Sequence, residues 1–144
     1  MWILTHTKHE LYIICTCELK IIVLVNNKLC SEAFQKYCEA MKKLGMKVME
    51  ILAISLGVDM SHYKYLFEDG CSIMRCNYYP SCQEPSVALG TGPHCDPTTL
   101  TILHQDQVGG LDVFADKRWR TVTPRSDAFV VNIGDTFTVS SRSF

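Results

Sequence analysis

Thr91-Gly-Pro-His-Cys-Asp-Pro-Thr-Thr-Leu-Thr-Ile-Leu-His104 is the stretch that decides the fold. Its second half is apolar and β-branched, and it reads as a strand over Thr98–His104. Its first half sets a His and an Asp two places apart on a short extended segment. Residues i and i+2 of a strand point to one face, so the His94 imidazole and the Asp96 carboxylate can converge on one ion. Cys95 points to the opposite face and belongs to packing. A second reading stays open here, a turn from Gly92 to Pro97 in which Asp96 bonds nearby backbone N–H groups.

Working outward, further strands are expected at Ser72–Tyr79, Leu111–Phe114, Trp119–Thr123 and Ala128–Ile133. Turn chemistry separates them at Pro80–Pro85, Val108-Gly109-Gly110, Ala115-Asp116-Lys117 and Pro124–Asp127. Thr136–Ser141 follows Gly134-Asp135 as a short turn or helix. Upstream, Phe34, Tyr37, Met41, Leu44, Val48, Ile51 and Leu52 recur at helical spacing, which predicts one amphipathic helix over Ser31–Leu56. Ser31 is its expected cap and Gly57 its C′ residue. A short helix is expected near Ser61–Phe67, closed by Glu68-Asp69-Gly70. Helix first and strands after gives α+β, with short strands at the spacing of a double-stranded β-helix, the cupin-like jelly roll. The expected core is partial, and a long amphipathic helix precedes it.

The 144 residues suit one domain. A net charge of −1 leaves no electrostatic footprint for nucleic acid or an anionic membrane. Eight cysteines occur without a Cys-x-x-Cys pair or zinc spacing, so reduced thiols in a cytoplasmic protein are expected. Leu11–Val25 is apolar, but Glu18 and Lys20 interrupt it and it is short for a membrane span. Met1–Glu10 lacks the basic n-region of a signal peptide. The chain thus divides into an apolar extension (1–30), a helical scaffold segment (31–70) and a β-rich domain (71–144).

Several side chains could carry chemistry. A His-x-Asp with a distant second His is the facial ligand pattern of non-haem Fe(II) oxygenases, which leaves coordination positions open. His104 is the nearest other His and reads as a structural or substrate-side residue, with adventitious metal binding as the alternative; His62, His6 and His9 lie away from the motif. Asn77 and Tyr79 share a strand face, with Tyr78 on the other. Gln105-Asp106-Gln107 reads as a solvated turn or as the lip of a cavity. Asn132, Gly134 and Asp135 read as fold determinants, Asp135 capping the next turn. Phe114, Trp119 and Phe129 are expected in the core.

Asn77-Tyr-Tyr-Pro-Ser-Cys-Gln83, the Leu89–Leu111 stretch and Ala128-Phe-Val-Val-Asn-Ile-Gly-Asp-Thr-Phe137 together resemble the plant Fe(II)- and 2-oxoglutarate-dependent dioxygenases. Leu100-Thr-Ile-Leu-His-Gln-Asp-Gln-Val-Gly-Gly-Leu111 is most similar to the gibberellin 20-oxidase type. The resemblance runs from about Ser31 to Phe137 and leaves the first thirty residues out. It implies that His94 and Asp96 are iron ligands and that Asn77 and Tyr79 hold the 2-oxoglutarate cosubstrate. It implies a monomer that oxidises a gibberellin precursor with dioxygen, releasing succinate and carbon dioxide. In that family the second iron His, and the Arg-x-Ser that clamps the distal cosubstrate carboxylate, correspond to positions beyond Phe144. Arg142-Ser143 precedes any such His and is not that clamp. The alternatives are a truncated, non-catalytic fragment and a related dioxygenase acting on another plant metabolite.

Overall fold

The computed structural model describes residues 2–5, 10–15, 28–59, 61, 72–77, 79, 83–84 and 88–141. In chain order the elements are β1 (Trp2–Thr5), β2 (Glu10–Cys15), α1 (Lys28–Leu56), β3 (Ser72–Asn77) and β4 (Thr91–His94). They continue with β5 (Leu100–Gln105), β6 (Leu111–Ala115), β7 (Arg118–Thr121), β8 (Val130–Ile133) and α2 (Asp135–Ser141). The strands form two antiparallel four-stranded sheets, ordered β4-β1-β6-β7 and β3-β2-β5-β8. With the helices this is α+β, as expected. The sheets are small, and among the described residues they do not close into a barrel.

Helix α1 begins at Lys28, so Ser31 lies inside it and is not its cap. Its end follows the expected chemistry. Gly57 takes φ +69°, its N–H bonds the Ile54 carbonyl at 3.1 Å, and the Val58 N–H bonds the Ala53 carbonyl at 3.1 Å. This is a Schellman motif, and Val58 packs back beside Met49 and Ala53. Met41, Met49 and Ala53 are buried on one face. Ile51, expected on that face, is 65% exposed, because it falls between the buried Met49 and Ala53 rows and points away from the sheet. The expected helix near Ser61–Phe67 lies mostly outside the described residues.

Strand β5 is the centre of the packing, and both of its faces are covered. Leu100 and Ile102 meet Met41 of α1, with Tyr37, Leu44, Val48 and Met74 around them. Leu103, on the other face, meets Leu111 of β6, with Val122 and Val130 alongside. Such a strand reads as a nearly continuous apolar run, which is why Leu-Thr-Ile-Leu was legible. A third cluster joins α1 to α2 through Met49, Ala53 and Phe137.

Three expectations fail on the surface. Phe114, Trp119 and Phe129 are 37%, 41% and 42% exposed. Phe114 and Trp119 pair edge-on across β6 and β7, with centroids 5.2 Å apart, and so shelter each other without entering the core. Two described segments of the amino-terminal extension also have a place in the fold: β1 sits between β4 and β6, and β2 between β3 and β5.

Candidate functional site: a His-x-Asp pair

Strand β4 ends at His94, so Asp96 lies just past the strand and not on it. The two side chains still meet, with His94 Nε2 3.7 Å from Asp96 Oδ1. Hydrogen bonds from the β8–α2 connection and the start of α2 hold the segment after the strand. The Asp135 N–H donates to the Asp96 carbonyl at 2.9 Å, the Gly134 N–H to the Thr99 carbonyl at 3.1 Å, and the Thr136 hydroxyl to the Pro97 carbonyl at 2.7 Å. Gly134 is required by close approach: a Cβ there would lie 1.8 Å from the Thr98 carbonyl oxygen.

The surroundings leave each group with an atom turned toward the other or without a partner. His94 Nδ1 lies 2.9 Å from the Gly92 carbonyl oxygen, which only accepts, so Nδ1 is the donor there and Nε2 is the ring nitrogen turned toward Asp96. The Asp96 side chain is 12% exposed, and its Oδ2 is buried without a hydrogen-bond partner. A buried carboxylate oxygen left unpaired is costly unless something positive meets it. An imidazole nitrogen beside a carboxylate whose other oxygen is orphaned therefore fits a divalent cation, and mixed N,O donors suit Fe(II). Among the described residues no third His, Cys, Asp or Glu completes a cluster with them. His6, His9 and His62 lie outside the described residues.

Strand β3 ends at Asn77, so Tyr79 lies past it and not on a shared strand face, yet the two side chains meet and a residue that sequence reasoning missed joins them. Asn77 Nδ2 donates to the Tyr79 hydroxyl at 3.2 Å, and that hydroxyl lies 2.8 Å from Thr91 Oγ1 on β4. Thr91 and His94 are three apart, which in a regular strand would place them on opposite faces. The β1–β4 register shows otherwise: position 3 faces His94 and position 5 faces Thr91, with a register shift between. Positions 3 and 5 share a face, so an irregularity at Gly92-Pro93 turns Thr91 and His94 to the same side. The hydrogen-bonded chain Asn77–Tyr79–Thr91 thus reaches the sheet face that carries His94. Thr91 carries no periodic signal and could be found only from this register.

Other polar groups sit on buried faces. Thr101 and Asn132 are register partners on β5 and β8, 1% and 2% exposed, and Thr101 Oγ1 is 3.2 Å from Thr98 Oγ1. Gln105 is not a solvated turn residue. It is 3% exposed and lines a cavity of about 170 Å³ with Val122, Phe129 and Val130. Asp106 does form the turn, its carboxylate accepting from the Val108 N–H at 2.7 Å. His104 packs its ring against Phe129, with centroids 5.5 Å apart.

Comparison with known proteins agrees with this chemistry. The chain is 61% identical over 106 residues, 74% of its length, to gibberellin 20 oxidase 3 of Arabidopsis thaliana. It is 60% identical over 111 residues, 77% of its length, to gibberellin 20 oxidase 1-B of Triticum aestivum. It is also 60% identical over 109 residues, 76% of its length, to gibberellin 20 oxidase 2 of Oryza sativa subsp. indica. These stretches span 28%, 30% and 28% of the relatives, so the chain covers less than a third of their length. No solved structure is significantly similar. Residues 70–144 match the 2OG-Fe(II) oxygenase superfamily, a range that contains His94 and Asp96, and the chain belongs to that family.

Proposed function

We propose that this chain carries part of the catalytic core of an Fe(II)- and 2-oxoglutarate-dependent dioxygenase that oxidises a gibberellin precursor. The reading rests on the His94–Asp96 pair, with Nε2 turned toward the carboxylate and one carboxylate oxygen orphaned. The gibberellin class rests on relatives that are 56–61% identical and named gibberellin 20 oxidases. In this reading His94 and Asp96 hold the metal. Asn77 and Tyr79, fixed by Thr91, hold 2-oxoglutarate, and β5 and β8 wall the site from water. Fe(II) with 2-oxoglutarate and dioxygen supplies the oxidising chemistry. In the whole protein the two sheets close as a jelly roll, the double-stranded β-helix, working as a cytoplasmic monomer.

The test is succinate release from 2-oxoglutarate by the purified protein, with and without a gibberellin precursor. Release that depends on the precursor and is abolished by His94→Ala and by Asp96→Ala is the expected outcome. Release with no response to any gibberellin precursor would remove the substrate assignment. A non-catalytic role is the second reading, favoured by the finding that only two ligands gather among the described residues. Co(II) titration separates the readings, since a non-catalytic chain gives weak binding and no turnover.

A further inference from the structure

Two free thiols from different elements meet where α1 crosses a sheet: Cys38 on α1 and Cys76 on β3. The contacts along α1 fix its path. Cys38 touches Met74 of β3, Met41 meets Leu100 and Ile102 of β5, and Met49 and Ala53 meet Phe137 of α2. The helix therefore comes onto the sheet over β3, at the turn that carries Tyr37 and Cys38.

Strand β3 presents Cys76 to that turn. Met74 Sδ lies 3.8 Å from Cys38 Sγ, so Met74 leaves β3 on the face toward α1. Cys76 follows two residues later in an unbroken register and shares that face. Electrostatics agrees with the placement. Burial and then the charge of Cys76 raise the Cys38 thiol, while burial, then Cys38, then Cys76 raise the Tyr37 hydroxyl.

The two thiols differ in access. Cys38 is 6% exposed, whereas Cys76 is open to solvent. An accessible thiol backed by a second thiol is the arrangement in which one sulfur takes up an oxidant and the other resolves it. Met74 lies against this pair, and its unbranched side chain can move aside.

We propose that Cys38 and Cys76 form a redox modification site, a thiol pair that glutathione disulfide closes into a bridge pinning α1 to β3. The Cys76 thiolate attacks the small disulfide, forming a mixed disulfide and releasing one glutathione. The Cys38 thiolate then attacks the Cys76 sulfur and expels the second glutathione. Two protein thiols are oxidised to one disulfide, one glutathione disulfide is reduced to two glutathiones, and the two thiol protons pass to them. The proposal is independent of whether the chain turns over any substrate.

The test holds the reduced, purified chain in glutathione disulfide, quenches samples over time with iodoacetamide, and maps unreduced peptides by mass spectrometry. A transient glutathione adduct on Cys76 is expected to give way to a Cys38–Cys76 bridge within one chain, reversed by dithiothreitol. In Cys38→Ser the adduct on Cys76 persists, and in Cys76→Ser position 38 stays unmodified. The bridge closes a long loop in the unfolded chain, so the urea midpoint of the oxidised protein should rise. A lasting adduct on Cys76 in the unmodified chain overturns the proposal, as does a bridge from Cys76 to another cysteine or only between two copies. A bridge that lowers the urea midpoint also overturns it, because the native fold then does not present the pair. If a serine variant fails to fold, the peptide map of the unmodified chain still decides.

Discussion

A single added methyl group at position 134 would collide with backbone, because its Cβ would lie 1.8 Å from the Thr98 carbonyl oxygen and 3.0 Å from that of Asp96. Backbone cannot swing aside as a side chain can. Gly134→Ala is therefore expected to cost about 3 kcal/mol or more and to push apart the segment that presents Asp96, seen as a lowered urea midpoint together with weakened Co(II) binding. Tyr79→Phe removes one hydroxyl that bonds both Asn77 and Thr91. It should cost about 1 kcal/mol in chemical denaturation. Valine at Thr91 should cost a similar amount, and the double variant should cost less than the sum, because the two changes break one shared bond. At this scale His94, Asp96, Asn77 and Tyr79 were legible because their side chains declare their chemistry. Thr91 and the buried Thr101–Asn132 pair were not, because an ordinary Thr or Asn acquires its role only from its register partner.

Among the elements, α1 is held by its buried stripe and not by surface charge. Met49→Ala, at a side chain with no exposure, should cost about 2–5 kcal/mol and loosen α1 from α2, as measured by thermal unfolding. The exposed Lys47–Glu50 pair contributes little, because solvent screens it. The β6–β7 hairpin turns through Asp116 and Lys117, at φ 51° and 62°, both left-handed. That is the type I′ geometry for which glycine is favoured, so Lys117→Gly should raise stability by up to about 1 kcal/mol. On α1, burial and then the charge of Cys76 push the Cys38 thiol above its ordinary range, and burial raises Tyr37 likewise. Both groups stay neutral in the folded chain where the unfolded chain ionises. Stability is therefore full below the ordinary thiol range and falls as pH climbs through the raised folded values, which alkaline denaturation curves should show. The helix was readable to its last turn because 3.6-residue periodicity and Gly57 are local signals. Strand β4 was readable only as an extended segment, since Gly92-Pro93 interrupts any period-2 pattern.

For the whole molecule, the sequence order of helix then strands gave the α+β class but not the way the sheets are filled. Nothing local in Trp2–Thr5 or Glu10–Cys15 says that their partners lie some sixty to more than a hundred residues further along the chain. That is why these two short segments of an extension read as an appendage prove to sit in the middle of the sheets. The same placement has a consequence in time. Residues 2–15 are synthesised before every one of their sheet partners, and they are strand-forming and sparsely charged. Until β3 to β6 exist they have nothing native to pair with, so the ladders that span both sheets close only after long loops have been drawn in. Folds dominated by such distant pairings reach the native state in milliseconds to seconds, not microseconds. Stopped-flow refolding should place this chain in the slow range, and a variant with a charge at Ile13 should aggregate less during refolding while folding to a less stable state. What the native protein holds at the centre of its sheets is, during synthesis, its most exposed liability.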